Sequence, residues 1–226
     1  MSPSSAVLEP AESRSGWDED AIGDVLRRVL GAIYDFDQVR TESLLDEVSS
    51  GVDLETFIGE VVMPLLAAVG ARWERGEFTV AHEHFASHLV RNRLAALAVA
   101  SSHPSGPSAV LACPPNERHD IPLLCLAVLL GAHGWQVRFL GGETPLPALA
   151  KACRFLEPTL VVLSATRVTA FESIATPLRH LARQWRVALG GPGATEALAL
   201  DVQAQLLPAD VVAAVRLLDE QAPATR

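Results

Sequence analysis

Val110-Leu-Ala-Cys-Pro-Pro-Asn-Glu-Arg-His-Asp-Ile-Pro122 is the stretch that decides the fold: an apolar run, a polar loop, then the start of a helical pattern. Three more apolar runs follow it: Val137-Arg-Phe-Leu140, Leu160-Val-Val-Leu-Ser164 and Val187-Ala-Leu-Gly190. Helical patterns separate them near Ile121–His133, Pro145–Phe155 and Phe171–Gln184. Short strands alternating with helices imply a parallel sheet covered on both faces. Asp210-Val211-Val212 reads as a fifth short strand, with a closing helix to about Glu220. The expected second domain, residues 107–226, is therefore α/β and flavodoxin-like, of the Rossmann type. Such sheets bind ligands at the carboxyl ends of their strands, and His119 lies a few residues past the first strand.

Before the sheet the apolar period is helical. Ile22, Val25, Leu26, Val29, Leu30 and Ile33 recur at helical spacing from Asp18 to about Asp35. A second helix is expected from Phe36 to Val48, stopped by Ser49-Ser-Gly51. A third runs from Asp53 through Phe57, Val61, Val62, Leu65, Leu66 and Val69, and Pro64 should kink it, because proline removes a backbone donor. Gly76 breaks the chain, and a fourth helix starts near Thr79 and ends before His103-Pro104. Four helices with short connections make an all-α four-helix bundle over residues 17–102. Ser101 to Ser108, rich in Ser, Pro and Gly, is the expected boundary. Residues 1–16, rich in Ser, Pro and Glu without an apolar core, read as a disordered leader.

Composition narrows the class. The 226 residues suit one large domain or two small ones, and 49% are apolar. No uninterrupted hydrophobic run reaches the ~20 residues that span a bilayer, so a cytoplasmic protein without membrane contact is expected. Cys113, Cys125 and Cys153 form no CxxC pair, which indicates neither a disulfide framework nor a zinc ribbon. The formal net charge of −9 resides in the first half: residues 1–105 carry 17 acidic and 8 basic side chains, residues 106–226 carry 10 of each. Acidic and neutral surfaces repel phosphate, so no direct DNA binding is expected.

A second stretch carries polar chemistry: Ala71-Arg-Trp-Glu-Arg-Gly-Glu-Phe-Thr-Val-Ala-His-Glu-His-Phe-Ala86. Read alone, Trp73 is an aromatic plug and Glu83-His84 a solvated first helical turn. His84 and His88, one turn apart, would suit zinc, but Ala86 stands where the HExxH pattern starting at His82 needs its second histidine. Taken together, Trp73 followed ten residues later by Glu83-His84, and Glu117-x-His119 opening an α/β domain, resemble the cobalamin-binding photoreceptors of the CarH type.

That resemblance implies an adenosylcobalamin clasped between bundle and Rossmann-like domain. Trp73, Glu83 and His84 would cover its upper face, and His119 would bind cobalt from below. Glu117 would fix the tautomer of His119 by hydrogen bonding to its other ring nitrogen, with Asp120 in the same loop. Thr144 in Gly141-Gly-Glu-Thr-Pro145, Ser164, and the paired Gly190-Gly191 would line the pocket for the nucleotide tail, glycine allowing close backbone approach. Three positions depart from the family pattern: Pro122 replaces a glycine, Thr166 replaces the apolar residue of Ser-x-Leu, and Glu74 replaces a histidine after the tryptophan. That histidine would take the upper cobalt position after light, so His84 becomes the first candidate, with His82 and His88 nearby. The implied function is a non-enzymatic light sensor whose domain packing, homo-oligomer and unknown protein partner respond to cobalt–carbon photolysis. The alternatives are a photocobilin-like sensor that also holds biliverdin, a corrinoid carrier for methyl transfer, and a ligand-free interaction module that keeps the fold.

Overall fold

The structure, a computed structural model, describes residues 17–100 and 106–222. The expected leader, and residues 101–105 of the expected linker, lie outside the described residues. Helices α1 (Glu19–Tyr34) and α2 (Gln38–Gly51) pack as an antiparallel pair. Asp18 and Asp37 cap them by accepting from the backbone N–H groups of Ala21 and Arg40, satisfying donors that a helix start leaves unpaired. The second helix therefore begins after Phe36 and includes Ser49 to Gly51, against expectation: serine and glycine weaken a helix without ending it when tertiary packing holds the turn. Phe36 instead occupies the left-handed region at φ 53, closing α1 where glycine is usual.

Helix α3 (Leu54–Thr56), a π-helical stretch (Phe57–Val62) and α4 (Met63–Glu74) run on without interruption. Pro64 cannot donate to Glu60, and its ring would crowd that carbonyl. The widened turn, in which the Met63 N–H bonds the Ile58 carbonyl, absorbs the conflict as a register change. The continuous helix Leu54–Glu74 has 21 residues and a mean hydropathy of 1.6, enough by length and composition to cross a bilayer. This corrects the reading by apolar runs, because Glu55 and Glu60 interrupt the run without ending the helix. Its stripe of Phe57, Ile58, Val61, Val62, Leu65 and Val69 is buried in the bundle core. Helix α5 (Val80–Ala100) completes four helical segments among the described residues.

Strands β1 (Ser108–Ala112), β2 (Gln136–Gly141), β3 (Leu160–Ser164), β4 (Val187–Gly190) and β5 (Gln205–Leu206) form a parallel sheet ordered β2-β1-β3-β4-β5. This is the flavodoxin order. The fifth strand is not Asp210-Val211-Val212: Asp210 caps α11 (Val211–Glu220) by accepting from the Ala213 N–H. An Asp before a helical apolar pattern is a helix start, and three residues are too few to fix a period. The segment expected as one helix at Phe171–Gln184 divides into α8 (Val168–Glu172) and α9 (Ala175–Ala182). Helices α6 (Ile121–Ala132), α7 (Leu146–Leu156) and α10 (Glu196–Val202) complete the domain.

Strand alternation divides the core in two. Val110, Ala112, Val161, Leu163, Val187 and Leu189 face a cluster with Leu149, Phe171 and Leu178. Ala109, Leu111, Leu160, Val162 and Ala188 face the other way, into a cluster continuous with the bundle. Between that sheet face and α5 lies α6, buried from Leu123 through Leu130; a helix apolar on all sides needs cover on all sides. At the far end of α6, Glu55 of the bundle pairs with His133 at 3.1 Å and accepts from Arg216 at 2.6 Å. Bundle and sheet are thus joined by apolar packing and by ion pairs.

Candidate functional site

The site grows from the carboxyl edge of the sheet. The loop after β1 is tied to the loop after β2 by three backbone hydrogen bonds: Cys113 N–H to Gly141 O at 2.8 Å, Thr144 N–H to Cys113 O at 2.9 Å, and Glu143 N–H to Glu117 O at 2.9 Å. A register shift between β1 and β2 at Leu111/Ala112 widens the edge there. Glu117, fully buried, is the centre of the loop. One carboxylate oxygen accepts from the His119 backbone N–H at 2.9 Å and lies 2.6 Å from His119 Nδ1. The other accepts from both the backbone N–H and the hydroxyl of Thr166, each at 2.6 Å. Burial pushes the Glu117 carboxyl up, but the Thr166 and His119 hydrogen bonds outweigh it and hold it at about 2.

An ionised Glu117 can only accept, so Nδ1 of His119 donates to it, and Nε2 is the ring nitrogen left for a ligand. The His119 side chain is 67% exposed while its carboxylate partner is buried. The loop thus presents one oriented nitrogen ligand to solvent at the sheet edge, a donor that fits cobalt. Cys113, in the same loop, is no competitor: burial, with the Asp120 and Glu117 carboxylates adding to it, pushes its thiol up to about 12, and the thiolate is the form that binds metal.

Thr166 was legible only as a departure from the family pattern. Its role shows once the β3 loop is folded against the β1 loop. Glu117 lies below its ordinary value, so its contribution to stability is present above 4.5 and fades as the pH falls toward 2. Accordingly, the stability difference between wild type and Glu117→Gln should stay flat from neutral pH to about 5 and shrink below that. Denaturant titration across this range checks the expectation, and a gap that closes above pH 5 counts against it.

The other residues of the expected tail pocket are at the edge, in contacts of their own. Thr144 is buried and its hydroxyl donates to Gly141 O at 3.2 Å. Ser164 is buried at the end of β3, and Gly190 ends β4. Gly191 has φ +80, and a side chain there would lie 2.5 Å from the Ala165 carbonyl and 3.0 Å from the Ser164 hydroxyl. The close approach expected of a nucleotide tail is made in this structure by the protein's own β3 loop.

The bundle places the upper residues. Trp73 ends α4 and is half-exposed, and the turn from Arg75 to Thr79 brings α5 back from the same end. His84 is exposed, 3.4 Å from Glu83, which also accepts from Ser87 at 3.0 Å. His88 is exposed and lies 3.1 Å from Asn92. His82, named as a nearby ligand, is committed elsewhere. It is buried, its Nδ1 accepts from the Thr79 N–H at 3.0 Å, and its Nε2 lies 3.2 Å from the Tyr34 carbonyl. Phe36 and Phe78 stack on its ring, with centroids 4.2 and 4.9 Å away.

Arg91 registers bundle against sheet by pairing with Asp120, the residue after His119. Beyond that point α5 packs along α6, and Gly106 meets Gly134 and Trp135 at the end of α6. The part of α5 before Arg91 is ~16 Å long at 1.5 Å per residue. His84 precedes Arg91 by ~10 Å and, at 100° per residue, shares its face. His84 thus lies about two turns before the Arg91–Asp120 contact, with Glu83 beside it.

This pair of layers matches known families. Residues 25–98 match one B12 binding domain family and residues 107–216 another, also described as a B12 binding domain. Two consecutive segments of the chain thus match B12 binding domains, and these matches support cobalamin as the cofactor. Among curated proteins it is 39% identical over 159 residues to the HTH-type transcriptional repressor CarA of Myxococcus xanthus, covering 69% of this chain and 54% of that protein. It is equally 39% identical over 170 residues to the HTH-type transcriptional repressor CarH of the same organism, covering 74% and 57%. The chain thus spans little more than half the length of these relatives. The monomethylamine corrinoid protein of Methanosarcina barkeri has the same fold, with a TM-score of 0.73 at 18% identity over 88% of this chain and 99% of that one.

Proposed function

We propose that the protein is a cobalamin-dependent light sensor that holds adenosylcobalamin between the first part of α5 and the sheet edge. The observation that carries this is one solvent-facing, carboxylate-oriented imidazole, His119, whose loop is tied through Asp120 to Arg91 of the helix that bears Glu83 and His84. Similarity to CarA and CarH supports the same reading. When bound, the cofactor supplies a light-labile cobalt–carbon bond, as in the CarH type. Its corrin would take His119 as lower ligand, and its upper adenosyl group would lie against Trp73, Glu83 and His84. The indole offers a stacking face, and the carboxylate and imidazole offer hydrogen-bond partners.

A ligand shifts a conformational equilibrium only by its different affinity for the two states. Trp73, Glu83 and His84 would touch the cofactor only in the clasped arrangement, so a change that removes those contacts would release the bundle. Because Glu74 stands where the CarH type has a histidine, and His82 is fixed in the aromatic cluster, His84 would be the first candidate to hold the cofactor from the bundle side after light.

Size-exclusion chromatography with light scattering, on protein loaded with adenosylcobalamin in darkness and then illuminated, tests this. The expected result is a change of elution volume on illumination, lost in Trp73→Ala, with His84→Ala altering the spectrum of the illuminated form. Complete photolysis with an unchanged profile would remove the sensor and leave a corrinoid carrier or a passive cobalamin-binding protein.

A further inference from the structure

We infer that Arg91 is a positioning residue for the cobalamin clasp: its ion pair with Asp120 sets how far the cap on α5 stands from the cobalt-ligand loop. The inference rests on the cobalamin reading above and goes beyond it, since neither the family pattern nor the comparisons assign Arg91 a role. Three observations carry it. Asp120 precedes α6 at its N-cap position, yet its side chain caps no backbone N–H; at helix starts aspartate usually does so. It reaches across to Arg91 instead, and its side chain is only 11% exposed. The space around it is tight, because a side chain at Gly141 would come within 3.2 Å of its carboxylate. The ion pair therefore joins the bundle to a residue that is both rigidly seated and covalently adjacent to His119.

The consequence is geometric. Arg91 and His84 lie on one face of one helix, so a shift of the helix at Arg91 is carried along it to the cap. A change in the seating of His119 passes through one peptide bond to Asp120 and from there to α5. Arginine suits the position because its planar fork can engage both carboxylate oxygens, as the contacts to Oδ1 and Oδ2 show. A ligand that touches the cap should feel the loss of the pair more than one that touches only the loop.

The test compares Arg91→Gln, Arg91→Lys and Asp120→Asn with wild type in the full chain. Each is titrated with adenosylcobalamin, which engages both cap and loop, and with hydroxocobalamin, which lacks the adenosyl group. In Arg91→Gln, adenosylcobalamin affinity should fall roughly tenfold more than hydroxocobalamin affinity, in line with the loss of an outer-shell partner. Asp120→Asn should behave alike, and Arg91→Lys should recover part of the difference. Small-angle scattering of the apoprotein should show a larger radius of gyration for Arg91→Gln. Equal losses for both cobalamins, with unchanged scattering, would overturn the inference and make the pair a structural contact only. If Arg91→Gln does not fold, the comparison is decided by Asp120→Asn and Arg91→Lys. Failure of the wild type to bind either cobalamin through His119 would instead sink the cobalamin reading itself.

Discussion

His119→Ala is expected to abolish the His-on absorption signature of bound cobalamin and to weaken its retention by about 100-fold or more. The magnitude follows from rank among the contacts. Loss of an outer-shell partner typically costs ~10–100-fold in metal affinity, and His119 is the proposed ligand itself. The fold should hold, because the side chain is 67% exposed and Glu117 keeps the His119 backbone N–H and both Thr166 donors; the lost hydrogen bond to that carboxylate costs about 1.5–3 kcal/mol. Glu117→Gln and Thr166→Val should follow in decreasing order. The first removes the acceptor that orients Nδ1, and the second removes one of four hydrogen bonds to that carboxylate. Equilibrium titration with spectral readout gives all three values. Should His119→Ala bind cobalamin with wild-type affinity and spectrum, the ligand assignment is wrong and another donor holds the cobalt.

Gly191→Ala is expected to destabilise the apoprotein by about 3 kcal/mol, through left-handed strain of ~1–2 kcal/mol and overpacking of ~1–3 kcal/mol. The strain arises at φ +80, and the overpacking from a methyl group placed 2.5 Å from the Ala165 carbonyl. For a chain of this size that corresponds to a Tm roughly 6–12 °C lower. Calorimetry of the apoprotein separates this from any effect on cofactor binding. The substitution should also disturb Thr166, which follows Ala165 in the displaced loop, and so loosen Glu117 and His119. A Tm within ~2 °C of wild type would show that the β3 loop yields without cost.

The β-strand and helix alternation after Val110 was legible because its signals are local. Apolar runs of strand length, bounded by turn residues, left one architecture open, and the order β2-β1-β3-β4-β5 is the flavodoxin-like topology expected. The failures were also local in origin. Asp210-Val211-Val212 carries β-branched residues, but Asp210 caps a helix, and the strand is the two-residue pair Gln205–Leu206, too short to have a period. Pro64 marks an irregularity in its helix, but whether a kink or the observed π-helical turn accommodates it depends on the surrounding bundle.

The chemical inventory is readable from residue order alone: an acid-x-histidine loop after the first strand, glycine at the turns of the sheet edge, and a tryptophan, glutamate and histidine at the joint of two helices. Residue types and spacing suffice for these because each lies within one loop or one helix turn. Which of these side chains are free to act depends on how the elements pack. His82, His84 and His88 are alike in sequence, yet His82 is enclosed by Phe36 and Phe78 from separate segments. Thr166 and Arg91 matter because folding brings them to Glu117 and Asp120, across 49 and 29 residues of chain. No periodicity encodes such contacts, since they form only where two elements, each specified by its own local pattern, are pressed together by the burial of their apolar faces.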